Sequence, residues 1–295
     1  MAEPIIDAHH HIWRLAATPW LQGPPVPRIF GAYDALRRDY AIEDYLAEAV
    51  PQGVVQSVFV QANVAPGEEV AEVALGAEAA ARSGFPQAIT AFADLAAPGV
   101  GQVLDAAMAA GRVVGIRQQL HWHRNPAYRF AATPDAMNAP GWRAGLAEVA
   151  RRGLLFELQV FPGQMQDALG LVRAFPDLTF VLLHAGMLED RSPAGWAEWR
   201  GGMRAMAGCP NLLVKLSGLG TFPRACSTAL WRPVVEETVA LFGAGRCLFG
   251  SNFPIERLWI DFATLVEVMR ECLSGASAAE RRAILHDTAA RVYRL

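Results

Sequence analysis

The chain carries seven histidines, and six of them fall at or just after short apolar, β-branched runs. His9, His10 and His11 end the run IIDAHHH, His121 and His123 follow GIRQQL, and His184 ends TFVLLH; only His286 lies elsewhere. Imidazoles two residues apart on a strand project from the same face. His9 and His11 can therefore chelate one cation together or polarise one oxygen. Taken alone, that spacing is weak and favours a structural histidine, so its weight comes from its place at the end of a first barrel strand. His184, closing another strand, is the natural third member.

Further polar residues alternate with apolar ones along the later runs. Arg117, Gln119 and His121 share one parity, and Val114, Ile116 and Leu120 take the other. Glu157 and Gln159 alternate with Phe156, Leu158 and Val160, as Lys215 and Ser217 do with Val214 and Leu216. A charge facing a helix layer would be buried without a partner, so these sets must face the interior of a closed sheet. The planar fork of Arg117 suits a substrate carboxylate. The expected substrate-binding set is Arg117, Gln119, His121, Lys215 and the loop residue Trp13. Buried ion pairs are the structural alternative for Arg117 and Lys215, and solvated loop positions for His121 and His123. Trp20, Trp122 and Tyr128 line a pocket or simply pack their loops.

The elements that would position these residues repeat along the whole chain. Strands are expected near 5–9, 54–62, 87–93, 113–120, 154–160, 179–184, 212–217 and 246–251. Helical patterns fall at 68–82, 100–110, 141–152, 163–175, 194–207, 231–243 and 258–273, with a last one near 278–291. Strand followed by helix, eight times in 295 residues, is the count of one closed (β/α)₈ TIM barrel spanning 1–295. An open doubly wound sheet would need a Gly-rich phosphate loop after its first strand, and that strand ends in histidines instead. Two connections are long: 14–40, rich in Pro, Gly and aromatics, and 121–140. Both follow strands, hence lie at the C-terminal face where barrel enzymes keep their sites, and 14–40 is expected to act as a lid.

Composition narrows the class. Hydrophobic residues make up 53% and charged residues 19%, enough for a large core and too apolar for disorder. The net charge is −3 and no dense basic patch occurs, which argues against nucleic acid as a partner. No apolar run approaches the ~20 residues that span a bilayer, and MAEPIIDAHHH lacks a basic segment leading an apolar one. The four cysteines are far apart, with no C-x-x-C pair, and read as reduced thiols of a cytoplasmic protein. A small-molecule substrate is the expected partner, with a homo-oligomer compatible and neither nucleic acid nor membrane involved.

IDAHHHIW, GIRQQL, RRGLLFELQV, FPDLTFVLLHAG, PNLLVKLSGLG and CLFGSNFP, in that order, resemble the signature blocks of the amidohydrolase superfamily. The likeness runs from Ile5 to the C-terminal DTAARVYRL, and it is strongest to the lactonase branch that includes pyrone-dicarboxylate hydrolases and fuconolactonases. It implies a barrel hydrolase that opens a small lactone or related cyclic ester, carboxylate- or hydroxyl-bearing. In that branch the pair matched by His9 and His11, and the histidine matched by His184, surround the scissile carbonyl. Some members bind a divalent metal there and others work without one. One position departs: the strand-eight block, usually G-S-D-W-P, reads Gly250-Ser251-Asn252-Phe253-Pro254. An amide cannot take a proton from water and is a weaker metal ligand than a carboxylate. The lysine that bridges two metals in binuclear relatives has no counterpart on the strands of Arg117 and Glu157, which speaks against a binuclear centre.

Two chemistries stay open at this point. His9, His11 and His184 could hold one zinc ion whose bound water has a pKa near ~7. Without a metal, the imidazoles would polarise the carbonyl themselves. The expected catalytic set is His9, His11, His184, Asn252 and Glu256, with Glu256 or Glu157 able to take the proton. A metal-dependent decarboxylase of the same superfamily, or a catalytically silent binding protein, is the alternative.

Overall fold

The computed structural model describes residues 3–295 and shows the expected barrel; Met1 and Ala2 lie outside the described residues. Eight parallel strands pair in sequence order: β1 (Ile5–His10), β2 (Val54–Val60), β3 (Ala88–Ala91), β4 (Val113–Ile116), β5 (Leu155–Leu158), β6 (Phe180–Leu182), β7 (Leu212–Leu216) and β8 (Cys247–Phe249). The first and last meet just beyond β8, where His10 pairs in parallel with Phe253. There the Asn252 N–H donates to the His9 carbonyl at 2.7 Å and the His11 N–H to the Phe253 carbonyl at 2.7 Å. Asp7 fastens the same seam: its carboxylate accepts from the Ser251 N–H (2.8 Å), the Ser251 hydroxyl (2.6 Å) and the Tyr45 hydroxyl (2.8 Å).

Helices α1 (Ile42–Ala49), α2 (Glu69–Ser83), α3 (Val100–Ala110), α4 (Pro140–Arg151), α5 (Met165–Ala174), α6 (Pro193–Ala207), α7 (Thr228–Phe242) and α8 (Phe262–Cys272) form the outer ring. Their starts follow local capping chemistry. Ser192, Ser227 and Asp261 each accept a hydrogen bond from the N–H three residues on, and Pro193 takes the first helical position. These caps move two starts away from the expected positions, to Thr228 for α7 and Phe262 for α8. Helix α1 has no counterpart among the expected helices. It is short, and the Pro- and Gly-rich stretch before it hides its one start signal, an Asp44 carboxylate accepting from the Ala41 N–H at 3.0 Å.

Two apolar layers hold the barrel. Phe59, Ile89, Phe156, Phe180, Val214 and Phe249 face the helices. Ile6, Ala8, Val58, Ala88, Leu155, Val181, Leu213 and Leu248 fill the lower lumen together with Tyr293. Tyr293 ends the last helix (Thr288–Tyr293) and inserts its hydroxyl into the lumen, donating to Glu157 at 2.7 Å. The lumen is therefore a packed core at the bottom and polar only toward the top. No helix among the described residues is long and apolar enough to cross a membrane, and all four cysteines are free.

Candidate active site

The strands end lower than the alternation suggests, and the residues beyond them turn into a cavity at the C-terminal face. β4 stops at Ile116, yet Arg117, Gln119 and His121 continue on the lumen side and line the cavity. His11, His184, Asn252 and Gln159 line it too, as does Thr221, which follows β7. From above, the loop after β1 contributes Trp13, Trp20, Arg28 and Phe30, and the loop after β4 contributes Arg129 and Phe130. The void measures about 690 Å³ with its open mouth included. The expected lid segment 14–40 thus forms part of the wall.

Two imidazoles, His11 and His184, line the floor, and His9 packs fully buried against both. The ring centroids of His9 and His11 are 5.0 Å apart, and those of His9 and His184 are 5.0 Å apart. His10, between them in sequence, points the other way, stacking on Tyr45 with centroids 3.9 Å apart and meeting the Ser57 hydroxyl at 3.0 Å. Burial, reinforced by the Lys215 and Arg117 charges and by the neighbouring imidazoles, holds His9 and His184 well below the usual histidine range. Burial likewise brings His11 down to about 3. All three are neutral at ordinary pH.

The protons of His11 and His9 are assigned by what lies behind them. His11 Nδ1 sits 2.7 Å from the Val60 carbonyl, which can only accept, so Nδ1 carries the proton and Nε2 a free lone pair. Lys215 resolves His9 in the opposite sense. Its ammonium donates to the Ala8 carbonyl (2.7 Å) and to Glu157 (2.8 Å), and its third proton is aimed at His9 Nδ1, 3.3 Å away. Nδ1 of His9 must then accept, and Nε2 carries the N–H. That Nε2 is buried and has no partner within the protein. His184 Nδ1 meets the Ser217 hydroxyl at 2.9 Å, which leaves its Nε2 for the cavity.

Backbone strain marks two of these positions. His184 has φ of 55° and Asn252 a φ of 57°, in the left-handed region that few side chains adopt. Gly218, at φ +60°, backs His184: a Cβ there would stand 2.5 Å from His184 Nδ1. Asn252 lines the cavity and donates from Nδ2 to Glu256 at 3.3 Å.

Three expected site residues, His9, Lys215 and Glu256, do not line the cavity. Lys215 is fully buried and does not line the cavity; its contacts are Ala8, Glu157 and His9. Glu256 is fully buried behind Asn252, where Trp259 Nε1 (2.7 Å) and the Thr221 hydroxyl (3.3 Å) donate to it. Burial raises its carboxyl to about 7. Glu157, the other candidate base, is committed to Lys215, Thr90 and Tyr293. His123 does not line the cavity; it is half-buried against Phe161 and Tyr128, 3.7 Å from Glu189. Sequence reasoning missed Arg28, Phe30 and Phe130, because nothing in a loop's composition separates a cavity-lining arginine from a solvated one.

A family model described as amidohydrolase matches residues 6–295. An uncharacterised protein of Sinorhizobium fredii is 38% identical over 293 residues, 99% of this chain and 98% of its own. An L-fucono-1,5-lactonase of Burkholderia multivorans is 29% identical over 303 residues, covering 98% of this chain and 96% of that protein. Among solved structures, an amidohydrolase of Burkholderia multivorans with bound zinc superposes with a TM-score of 0.83 at 25% identity, covering 99% of each chain.

The zinc of that relative raises the question whether the histidines here fit an ion. Three neutral imidazoles are a suitable class of donor. Their arrangement is not: His9 presents an N–H where a ligand needs a lone pair, and Asn252 offers an amide. Among the described residues no group of three His, Cys, Asp or Glu side chains is disposed to hold a metal. The floor is a set of hydrogen-bonding groups. Match, relatives and barrel agree, and the chain belongs to the amidohydrolase family.

Proposed function

We propose that this protein hydrolyses a small lactone or related cyclic ester at the floor of the cavity. The observation that carries this reading is the trio of buried, neutral imidazoles, of which His9 and His11 have their protons held in opposite senses. Ester hydrolysis needs donors aimed at a developing oxyanion and a base for the attacking water. His9 supplies the donor through Nε2–H, a buried imidazole nitrogen without a partner on a ring that adjoins both His11 and His184. His184 lies beside it and binds the same oxygen through Nε2–H when the Ser217 hydroxyl donates to its Nδ1. His11 supplies the base through Nε2, with its other nitrogen anchored on Val60.

In the addition step, water loses a proton to His11 Nε2 as its oxygen bonds to the carbonyl carbon, and the carbonyl oxygen becomes the oxyanion. In the second step the ring C–O bond breaks and the proton passes from His11 to the departing oxygen, leaving a hydroxy acid. The Asn252 amide favours the charged form of His11 and so stabilises the imidazolium between the two steps, while Glu256 accepts from its Nδ2 and holds the amide in place. No step requires a carboxylate at position 252. The lactonase relative supports this reaction class, and the site's chemistry supports acyl transfer to water over decarboxylation, which needs no base for water. A pH-stat titration against a panel of five- and six-membered lactones tests it. Acid release matching the loss of lactone is expected; release of CO₂ from aromatic or unsaturated acids, with no lactone opened, would sink it.

A further inference from the structure

The cavity has an unusual charge balance for a chain of net charge −3. Three guanidinium groups, Arg28, Arg117 and Arg129, belong to its lining and no carboxylate does. Arg129 is exposed and stacks on Trp122, 4.7 Å from the ring centroid. The other two are held for a ligand. Arg117 is 3% exposed, donates one N–H to the Gln61 carbonyl, and has a buried Nε with no partner. The carboxylates nearest in charge, Glu157 and Glu72, act on it only at a distance: one oxygen of each is bonded to Lys215 and to the Ala62 N–H, and neither oxygen bonds Arg117. Arg28 sits over Trp20 (5.0 Å) and Phe130 (5.7 Å), again with a buried Nε lacking a partner. Both line the cavity, and both charges act on His121. Neither forms an ion pair among the described residues.

Beside them, Gln119 and Gln159 each leave a buried side-chain oxygen without a donor. That pattern wants an anion at one end and hydroxyl groups along the wall. We infer that the substrate is a hydroxylated lactone carrying a carboxylate remote from the scissile ester, and that Arg28 and Arg117 clamp this carboxylate, Arg28 from the loop that closes over it. The inference rests on the hydrolase reading for the word lactone, and on the cavity alone for the anion.

The test uses a matched pair of probes, the acidic glucaro-1,4-lactone and the neutral glucono-1,4-lactone, with the wild-type protein. Binding is measured by calorimetry and turnover by acid release, so the two claims fail separately. The acid form is expected to bind at least about 10-fold more tightly, the low end of one charge-assisted hydrogen bond, and its affinity to fall with added salt. Arg28→Gln should cut the acid-to-neutral preference about 10-fold, with Arg28→Lys restoring part of it, and Arg117→Gln should cut it further. Arg28 lies in a surface loop, so its variants fold. Preferential binding of the acid without turnover keeps the clamp and removes the hydrolase reading. Equal binding of the two, no binding of the acid at millimolar concentration, or a preference unchanged by Arg28→Gln overturns the clamp.

Discussion

Replacing Lys215 with methionine separates what the buried lysine does for folding from what it does for the site. Its ammonium is wholly buried and makes contacts of 2.7 Å to Ala8, 2.8 Å to Glu157 and 3.3 Å to His9. Methionine has similar bulk, so little cavity is created; what is lost is the partner of a buried carboxylate whose second oxygen already lacks a donor. Removing one member of a buried pair costs about 3–5 kcal/mol. For a chain of this size about 2 °C is lost per kcal/mol, so the melting temperature should drop by about 6–10 °C. Adding Glu157→Gln should return most of that loss, because the stranded charge goes with it. The catalytic effect is independent. Without Lys215 the His9 ring is free to place its proton on Nδ1, and the oxyanion donor is weakened, lowering kcat by about 10²-fold. Ring ¹⁵N shifts of His9 should move from the Nε2–H pattern toward a mixture. A variant that melts at the wild-type temperature with an unmoved His9 spectrum would refute the reasoning.

His184→Ala should abolish lactone turnover while leaving the fold intact by circular dichroism, whereas Asn252→Ala should retain activity lowered about 10²–10³-fold, as for loss of one donor. Gly218→Ala forces a Cβ against His184 at a positive φ, and should lower kcat more than it lowers the melting temperature. Stability should fall as pH drops below ~6.5, because the unfolded chain protonates histidines that burial keeps neutral in the native state, down to about 3 for His10, His11 and His121 and well below the usual range for His9 and His184. Glu72, Glu189 and Glu256, raised to about 7 by burial, take up protons in the native state and oppose this, but the five histidines outweigh them. Denaturant titrations from pH ~7 to pH ~4.5 that show flat or rising stability would contradict neutral imidazoles at the floor.

Much of this architecture is legible in the chain because barrel strands impose a period. The alternation of Arg117, Gln119 and His121 against Ile116 and Leu120, and of Lys215 against Val214 and Leu216, marks the lumen side in the sequence itself. His9, His11 and His184 come together because they sit at strand ends on that side. Depth is what alternation cannot convey. Glu157 and Lys215 share the lumen with Arg117, yet they lie one layer lower, sealed by Tyr293 from a helix at the far end of the chain. Glu256 follows Asn252 by one helical turn, and only the fold shows it buried behind the amide. Arg28 is the opposite case, a loop arginine given meaning only by Trp20 and Phe130 beside it.

The most direct test of the imidazole account is acid release from a lactone by protein stripped with chelator, with metal content measured on the same sample. Turnover undiminished by stripping, and lost in His184→Ala, is the predicted result. Turnover that vanishes on stripping and returns with added zinc would contradict it, and would place an ion where His9 now presents its proton.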